Sequence, residues 1–342
     1  MTLDDFVKRP DAALRFILPL LSQGQAYCGV RQSTPHSLGF ARLAGACPGE
    51  GRGSFYEAVP NARLLRLITR ASFLTEKRLQ DLIILIKGGG EMASGVVQRL
   101  VRSGFRVCIT EIPQPLAVRR GVSFCEAVFE GRKEIEGLVG KRVSGREEIL
   151  LSWETGEVPV LIDPECTIRK VLSPDVLVDA ILAKRNTGTA LSDAPLVIGL
   201  GPGFYAGRDV HFVIETNRGH HLGRVIEEGE AQPDTGIPGD ISGYTWERVL
   251  RAPVGGRFLG KKQIGDRIEK GDVVAEVEGV PLKATISGVL RGILRDGLTA
   301  GLNMKVGDVD PRAARESCLT VSDKARAIAG GVLEAVMRKY NQ

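Results

Sequence analysis

Gly88, Gly90 and Ala93 stand in a Gly-x-Gly-x-x-Ala spacing, after an apolar run at 82–86 and before a helix-like segment at 96–104. Where a strand ends in glycines and a helix opens, the first glycine makes the tight turn. The second lets backbone approach a pyrophosphate, and the small third residue lets helix pack on strand. Glu111 follows Gly90 by 21 residues, where a carboxylate can accept from ribose hydroxyls. Glu91 conflicts with this chemistry, because it puts a carboxylate at the positive helix end where a phosphate would sit. It either caps the helix and points away, or it repels a phosphate. The plainer reading of the loop is a turn that holds no ligand.

Other residues carry weaker signals. Arg119 and Arg120 follow the second apolar run, and guanidinium forks suit phosphate or another oxyanion. Cys125 comes five residues after Arg120, and a thiolate beside two arginines has a depressed pKa. A solvated charge pair and a small buried thiol are the plainer accounts. Cys108 sits inside an apolar run and reads as core, and Cys166 has acidic neighbours that discourage a thiolate. Lys184, in "AKRNTGT", either meets the end of a helix dipole or clamps an anion beside "GLGPGFYAG". In that second glycine loop Gly201 and Gly203 allow close backbone approach, while Pro202 and the missing Gly-Lys-Ser/Thr ending argue against a P-loop. Asp209, His211 and Glu215 would share one face of a strand, with His220 and His221 nearby, which raises metal binding against satisfied polar loop residues. No metal site is expected from this spacing.

The elements that must position these groups read as an α/β chain. Strand, glycine loop, helix and strand follow one another over 82–111. "VPVLIDPE" (158–165) is a further strand with an acidic end, "APLVIGLGPG" (194–203) repeats the strand and glycine loop, and "VHFVIET" (210–216) is another strand. "SPDVLVDAILAKRN" (173–186) reads as a helix capped by Ser173. From Arg251 the texture changes to short alternating strands with glycines between them. An internal repeat at an offset of 32 residues sets "APVGG" (252–256) against "ATISG" (284–288), which implies an intertwined, pseudo-symmetric small sandwich. "SDKARAIAGGVLEAVMRKY" (322–340) is a helix capped by Ser322 or Asp323, with Gly330 and Gly331 weakening it or permitting close packing. The domain reading is an N-terminal extension at 1–81, a Rossmann-like α/β domain at 82–250, a β-rich domain at 251–310 and a C-terminal helical segment at 311–342.

Composition removes several classes of function. The chain has 342 residues, 43% hydrophobic and 25% charged, enough to bury a sizeable core. Residues 1–80 hold 11 Lys/Arg and 6 Asp/Glu, and the remaining chain holds 35 of each, so its body has no basic excess for a nucleic acid. Aromatic residues make up only 5%, too few for stacking platforms. Six cysteines without a C-x-x-C pair fit reduced thiols in a cytoplasm. No apolar run reaches the roughly 20 residues that span a bilayer. Gly, Pro and Arg scattered through 24–62 without a structural period mark a poorly ordered extension or a partner-binding arm, followed by a basic helix at 62–79.

The stretches "IKGGGEMASGV", "RVCITEIPQPLAVRRGVSFCEAVFEG", "LVDAILAKRNTGT", "VIGLGPGFYAGRDVHFVIETNRGHHLGRV" and "SDKARAIAGGVLEA" together resemble the selenium-dependent molybdenum hydroxylase maturation family, YqeB type. The resemblance runs in order from about Leu82 to Val336 and leaves out residues 1–80. It implies a maturation factor acting with a molybdenum hydroxylase client and other maturation proteins. It also implies a molybdopterin cofactor extended to a cytosine dinucleotide, whose pyrophosphate and ribose suit the Gly88–Ala93 loop and Glu111. Cys125 would then carry selenium as a perselenide. NAD and S-adenosylmethionine remain open as ligands, and a Rossmann oxidoreductase or a non-enzymatic assembly scaffold as functions. The β-rich segment resembles a biotinyl/lipoyl-type barrel-sandwich hybrid. Lys283 falls past the hairpin tip and no Met-Lys-Met is present, so neither biotin nor lipoate is expected.

Overall fold

The computed structural model describes residues 77–341. The readings made for the extension and for a basic helix at 62–79 lie outside these residues, apart from 77–81, where Leu79–Asp81 forms one 3₁₀ turn.

The chain enters strand β1 (Ile83–Lys87), turns through the glycines into helix α1 (Glu91–Arg102), and returns in β2 (Arg106–Glu111). α1 begins after Gly90 and buries Met92, Ala93, Val96, Val97 and Leu100. Gly104, at φ +89°, then reverses the chain in the left-handed conformation usual just after a helix end. Next come the short helix α2 (Ala127–Glu130), the hairpin β3 (Arg132–Ile135) and β4 (Leu138–Val143), α3 (Arg146–Glu154), β5 (Val158–Ile162), α4 (Arg169–Leu172), β6 (Val176–Asp179) and β7 (Leu196–Leu200). Four shorter strands, β8 (Tyr205–Ala206), β9 (Phe212–Ile214), β10 (Val225–Ile226) and β11 (Gly229–Glu230), complete this half.

The large sheet has nine strands in the order β10-β9-β7-β6-β1-β2-β5-β4-β3. Its inner strands are parallel, so each is buried on both faces and reads as a continuous apolar run. Ile84 and Ile86 join the core beneath α1, while Leu85, between them, joins the core on the opposite face with Cys108, Leu177 and Val197. From β1 the chain steps one way to β2 and β5 and the other way to β6 and β7. The strand order therefore reverses between β1 and β6.

One element departs from its sequence reading. Residues 173–186 do not form a helix: 176–179 are a strand, and Ser173, at φ +47°, ends α4 instead of capping a following helix. All four residues of β6 are buried between β1 and β7. A central parallel strand matches that all-round burial, and Val176 and Val178 favour it. A short apolar run without alternation fits a buried strand as well as a helix.

The second half holds β12 (Val249–Arg251), β13 (Gly256–Gly260), β14 (Arg267–Ile268), β15 (Val273–Val277), β16 (Val280–Lys283), β17 (Gly288–Ile293), β18 (Thr299–Ala300) and β19 (Lys305–Asp310). They form two four-stranded sheets, β12-β19-β17-β14 and β16-β15-β13-β18. Exchanging β12 with β16, β13 with β17, β14 with β18 and β15 with β19 converts one order into the other. That exchange is the 32-residue repeat, and each sheet takes strands from both repeats. Glu278 and Gly279, both at positive φ, form the β15–β16 tip, and Lys283 ends the returning strand.

Helix α5 (Asp323–Tyr340) closes the molecule across α1. Ser322 caps it by accepting from the Ala325 N–H at 3.3 Å. The approach is close: a Cβ on Gly95 would lie 2.8 Å from the Ala325 Cβ, and one on Gly331 would lie 2.1 Å from the Gly223 carbonyl oxygen. Gly330, its neighbour in sequence, has nothing within 4 Å of that position. Among the described residues no helix is long and apolar enough to cross a membrane.

The two adjacent glycines of α5 should therefore respond oppositely to alanine. Gly331→Ala is expected to destabilise by about 1–3 kcal/mol or more, because backbone must move. Gly330→Ala should stabilise by about 0.5–1 kcal/mol through helix propensity alone. Urea denaturation of the two variants checks both signs.

Candidate functional site

A cleft of about 520 Å³ opens at the carboxyl ends of β1, β2 and β6, where the strand order reverses. In open α/β sheets ligands bind in this position. Lys87, Gly88 and Gly90 line it from β1 and the loop, Glu111 from β2, and Ile181 from the segment after β6.

The three glycines have different tasks. Gly88 turns at φ +88°, and a Cβ there would touch the Ala180 backbone at 3.3 Å. Gly89 lies against the chain itself: a Cβ would come within 2.9 Å of the Cys125 nitrogen, and the Gly89 carbonyl accepts from that N–H at 2.9 Å. Gly90 precedes α1 with no atom within 4 Å of a built Cβ. The open glycine therefore sits at the helix N-terminus, where the first N–H groups have no intrahelical acceptors. Ala93 is fully buried at the contact of helix and sheet, as its small size in the motif suggests.

Glu111 is committed to the loop. Its Oε1 accepts from Gly89 N–H at 2.7 Å and its Oε2 from Ile112 N–H at 2.8 Å. Burial raises its pKa, and those two N–H groups oppose the rise. Each oxygen keeps acceptor capacity towards the cleft, so the carboxylate can serve loop and ligand together.

Glu91 neither caps the helix nor stands as a bare charge. Its Oε1 lies 3.8 Å from Arg119 Nη1 and 4.0 Å from Arg291 Nη2. Two guanidinium groups thus outweigh the one carboxylate at the helix end, which removes the objection that Glu91 raised in the sequence.

Arg119 and Arg120 diverge. Arg119 is buried against the cleft, with Nη2 donating to the Ser317 carbonyl at 3.0 Å. Arg120 donates to the Ile293 carbonyl at 2.8 Å and faces a separate cleft with Glu126 and Lys133. The expectation that both flank Cys125 and activate its thiol is corrected. Cys125 is fully buried, and its pKa is pushed well up, first by burial and then by the Glu111 and Glu126 carboxylates. Its backbone lines the glycine loop, but its sulfur sits in an environment that disfavours a thiolate.

Lys184 is also placed elsewhere. It is exposed, pairs with Asp234, and stands at φ +60° in a loop where a helix end was expected. Gly201 and Gly203 are taken up by the chain's own packing. A Cβ on Gly201 would lie 2.4 Å from Thr216 Oγ1, and one on Gly203 would lie 2.5 Å from the Arg185 nitrogen. The second glycine loop thus packs on the 184–185 backbone and on Thr216. His211 Nδ1 accepts from Val197 N–H at 2.9 Å, and Glu215 accepts from the Asn217 and Gln232 N–H groups. Among the described residues no group of three or more His, Cys, Asp or Glu side chains is arranged to hold a metal.

Sequence reading passed over Lys87. Its amine is buried at the end of β1, donating to Thr189 Oγ1 at 2.6 Å and pairing with Asp179 Oδ2 at 3.2 Å. Thr189 Oγ1 also donates to Asp179 at 2.6 Å. A lysine closing an apolar strand was the available signal, because a cation there needs a buried partner. Arg291 and Lys305 were likewise passed over. They come from the β-rich half, more than 180 residues from the glycine loop. A second cleft, of about 540 Å³, shares Glu91, Met92 and Lys305 with the first and adds Arg218, Arg291 and Lys324.

No family model matches the chain. It is similar to the Escherichia coli (strain K12) protein named "Uncharacterized protein YqeB", with 46% identity over 260 residues, 76% of this chain and 48% of that protein. The chain therefore spans about half the length of that relative. Among solved structures, an aspartoacylase family protein from Mesorhizobium loti overlaps 67% of this chain and 84% of its own, at 12% identity and a TM-score of 0.22. A structure titled "TcdA (CsdL)" overlaps 83% of this chain and 99% of its own, at 12% identity and a TM-score of 0.29.

Two outcomes follow from the site. In the native protein at pH 8, peptide mapping after iodoacetamide should show Cys125 unmodified until denaturant is added; rapid native labelling would contradict its burial. Asp323, at the start of α5, accepts from Arg218 at 2.6 Å, which lowers its pKa to about 2. The folded pKa lies below the unfolded value of about 4, so this contact stabilises above that pH and its contribution fades as pH falls towards 2. The urea midpoints of the wild type and Arg218→Gln should accordingly differ by a constant amount above about pH 5 and converge as the pH falls from about 4 towards 2.

Proposed function

The chain belongs to the YqeB family, and from that premise and the geometry of the cleft we propose that it is a maturation factor for a selenium-dependent molybdenum hydroxylase. It holds a nucleotide-bearing molybdopterin cofactor at the carboxyl ends of β1, β2 and β6. In this reading the α/β half is Rossmann-like, because β5-β2-β1-β6-β7 follows the order of doubly wound nucleotide-binding sheets. The β-rich half is a barrel-sandwich hybrid, supported by the strand exchange of its two repeats.

The observation that carries the proposal is Gly90. Gly88 and Gly89 are required by the chain's own backbone, whereas Gly90 faces open space in the cleft at the N-terminus of α1. A pyrophosphate would approach there, with Gly88, Gly90 and Ala93 shaping the loop and Glu111 accepting from a ribose. Arg119 would meet an anionic group from the facing side. Ile112, Leu116 and Ile181, each more than 40% exposed, offer an apolar bed for a flat ring system. The cleft volume falls in the roughly 300–1,000 Å³ range of small-molecule sites. The client enzyme and the other maturation proteins are partners in this reading, and Arg120, Lys184, Gly201 and Gly203 are left to other tasks.

The test is ligand retention in native mass spectrometry, followed by titration of the cytosine dinucleotide cofactor, NAD and S-adenosylmethionine. Gly90→Val should weaken the pterin dinucleotide at least tenfold, about 1.4 kcal/mol, while leaving the thermal midpoint in place. Glu111→Ala is a blunter variant. It should lower stability by about 1–3 kcal/mol as well as affinity, because it strips the Gly89 N–H of its acceptor. Selective binding of NAD would favour an oxidoreductase. Equal affinity for wild type and Gly90→Val, or no binding at all, would leave an assembly scaffold.

A further inference from the structure

The charges where the two clefts meet are not satisfied by the chain. Arg119 Nε and Nη1 and Arg291 Nε are buried without a hydrogen-bond partner. Arg119 is only 6% exposed and lines the first cleft, while Arg291 lines the second. Glu91 Oε1 stands 3.8 Å from Arg119 Nη1 and 4.0 Å from Arg291 Nη2, beyond the roughly 2.7–3.2 Å of a hydrogen bond. Glu91 therefore offsets charge without filling the donors. Buried ionised donors without acceptors are costly, which makes this cluster anomalous unless something else occupies it.

The surroundings sharpen the anomaly. Three neighbouring arginines already have close partners: Arg248 with Asp308 at 2.6 Å, Arg312 with Asp310 at 2.7 Å and Arg218 with Asp323 at 2.6 Å. Asp310 also stands 3.8 Å from Arg291 Nε, again too far for a hydrogen bond. Lys305 reaches Asp308 only at 4.0 Å. Lys324 lines the second cleft, and its pKa is lowered by burial and then by the Arg218 guanidinium. Asp240 faces the same cleft and accepts from Gly243 N–H at 3.2 Å. At Glu91 two guanidinium groups, Arg119 and Arg291, stand within 4.0 Å of one carboxylate, with Lys305 and Lys324 lining the same clefts, so the charge at this junction is positive on balance.

We propose that Arg119 and Arg291, on either side of Glu91, form a subsite for a tetrahedral, doubly charged oxyanion. The donors come from two directions, one from the segment after β2 and one from β17. A planar carboxylate in the middle reaches neither, whereas a tetrahedral anion presents acceptors to both. Its charge matches the local surplus. The anion is either a free ion such as phosphate or a phosphoryl group on a larger ligand. The subsite extends the cofactor reading but does not require a nucleotide.

Calorimetric titration of the full chain with inorganic phosphate, and separately with cytidine diphosphate, tests it. Wild type should bind phosphate saturably. Glu91→Gln should tighten it roughly three- to tenfold by removing a like charge. Arg291→Gln should weaken it at least tenfold, and Arg208→Gln, an exposed charge elsewhere, should not change it. The gain in Glu91→Gln is the decisive arm, because a misfolded variant cannot mimic tighter binding. Phosphate affinity that Gly90→Val leaves intact assigns a free ion; tighter cytidine diphosphate binding that Gly90→Val reduces assigns a phosphoryl group. Either supports the subsite, and loss of the nucleotide effect alone sinks only the cofactor reading. The subsite is overturned if neither wild type nor Glu91→Gln binds phosphate, or if Arg291→Gln binds as wild type does.

Discussion

Gly89 lies against the backbone of Cys125 at a distance that no side chain permits, and the shape of the cleft follows from that contact. The approach pins the glycine loop between the end of β1 and the 123–125 turn. Glu111 then fixes it from the next strand by accepting the Gly89 N–H. Held on both sides, the loop delivers Gly90 to the start of α1 with its open face towards the cleft. The segment leaving Glu111 crosses to the β-rich half, where Val118 accepts from the Ile293 N–H at 2.9 Å. A Cβ on Gly292 would meet the Val118 oxygen at 2.8 Å, so this crossing too depends on close backbone approach.

Charge is buried in this protein where a second chain segment can answer it. Lys87 ends the central strand with Asp179 from β6 and Thr189 from the loop beyond, a closed network in which each polar group meets another. Glu126, almost fully buried, holds Arg295 at 2.7 Å from the β-rich half. Such pairs contribute little net stability once desolvation is counted, but breaking one leaves a buried charge. They act as register marks between segments distant in sequence. The cluster of Arg119, Glu91 and Arg291 has the same ingredients without the closing hydrogen bonds.

The β-rich half contributes to the cleft. Its internal exchange of strands makes a self-contained core around Phe258, Val274 and Leu290. The outward side of β17 and the start of β19 bring Arg291 and Lys305 to the N-terminus of α1. β17 can lie close enough to the α/β half to do this because Gly292 lets its backbone meet the Val118 backbone directly.

Legible in the residues alone are the strand, glycine loop, helix and strand at the start of the α/β half, Glu111 at the end of β2, the 32-residue repeat and the cap of α5. These features rest on local chemistry: apolar runs bounded by glycines, a repeated spacing, and a serine before a helical stretch. The remaining features depend on contacts between segments far apart in the chain. Residues 176–179 became a strand because two neighbours in the sheet bury both of its faces, which no periodicity within the segment records. Cys125 gained a raised pKa because the chain around it excludes water and sets two carboxylates nearby. Adjacent in sequence, Arg119 and Arg120 went to different clefts, since a bend of the backbone points successive side chains apart. Glu91 looked like an obstacle to an anion until Arg291, 200 residues later, stood beside it. Electrostatic sign at a site is a sum over everything within a few ångströms, and sequence spacing does not show which residues enter that sum.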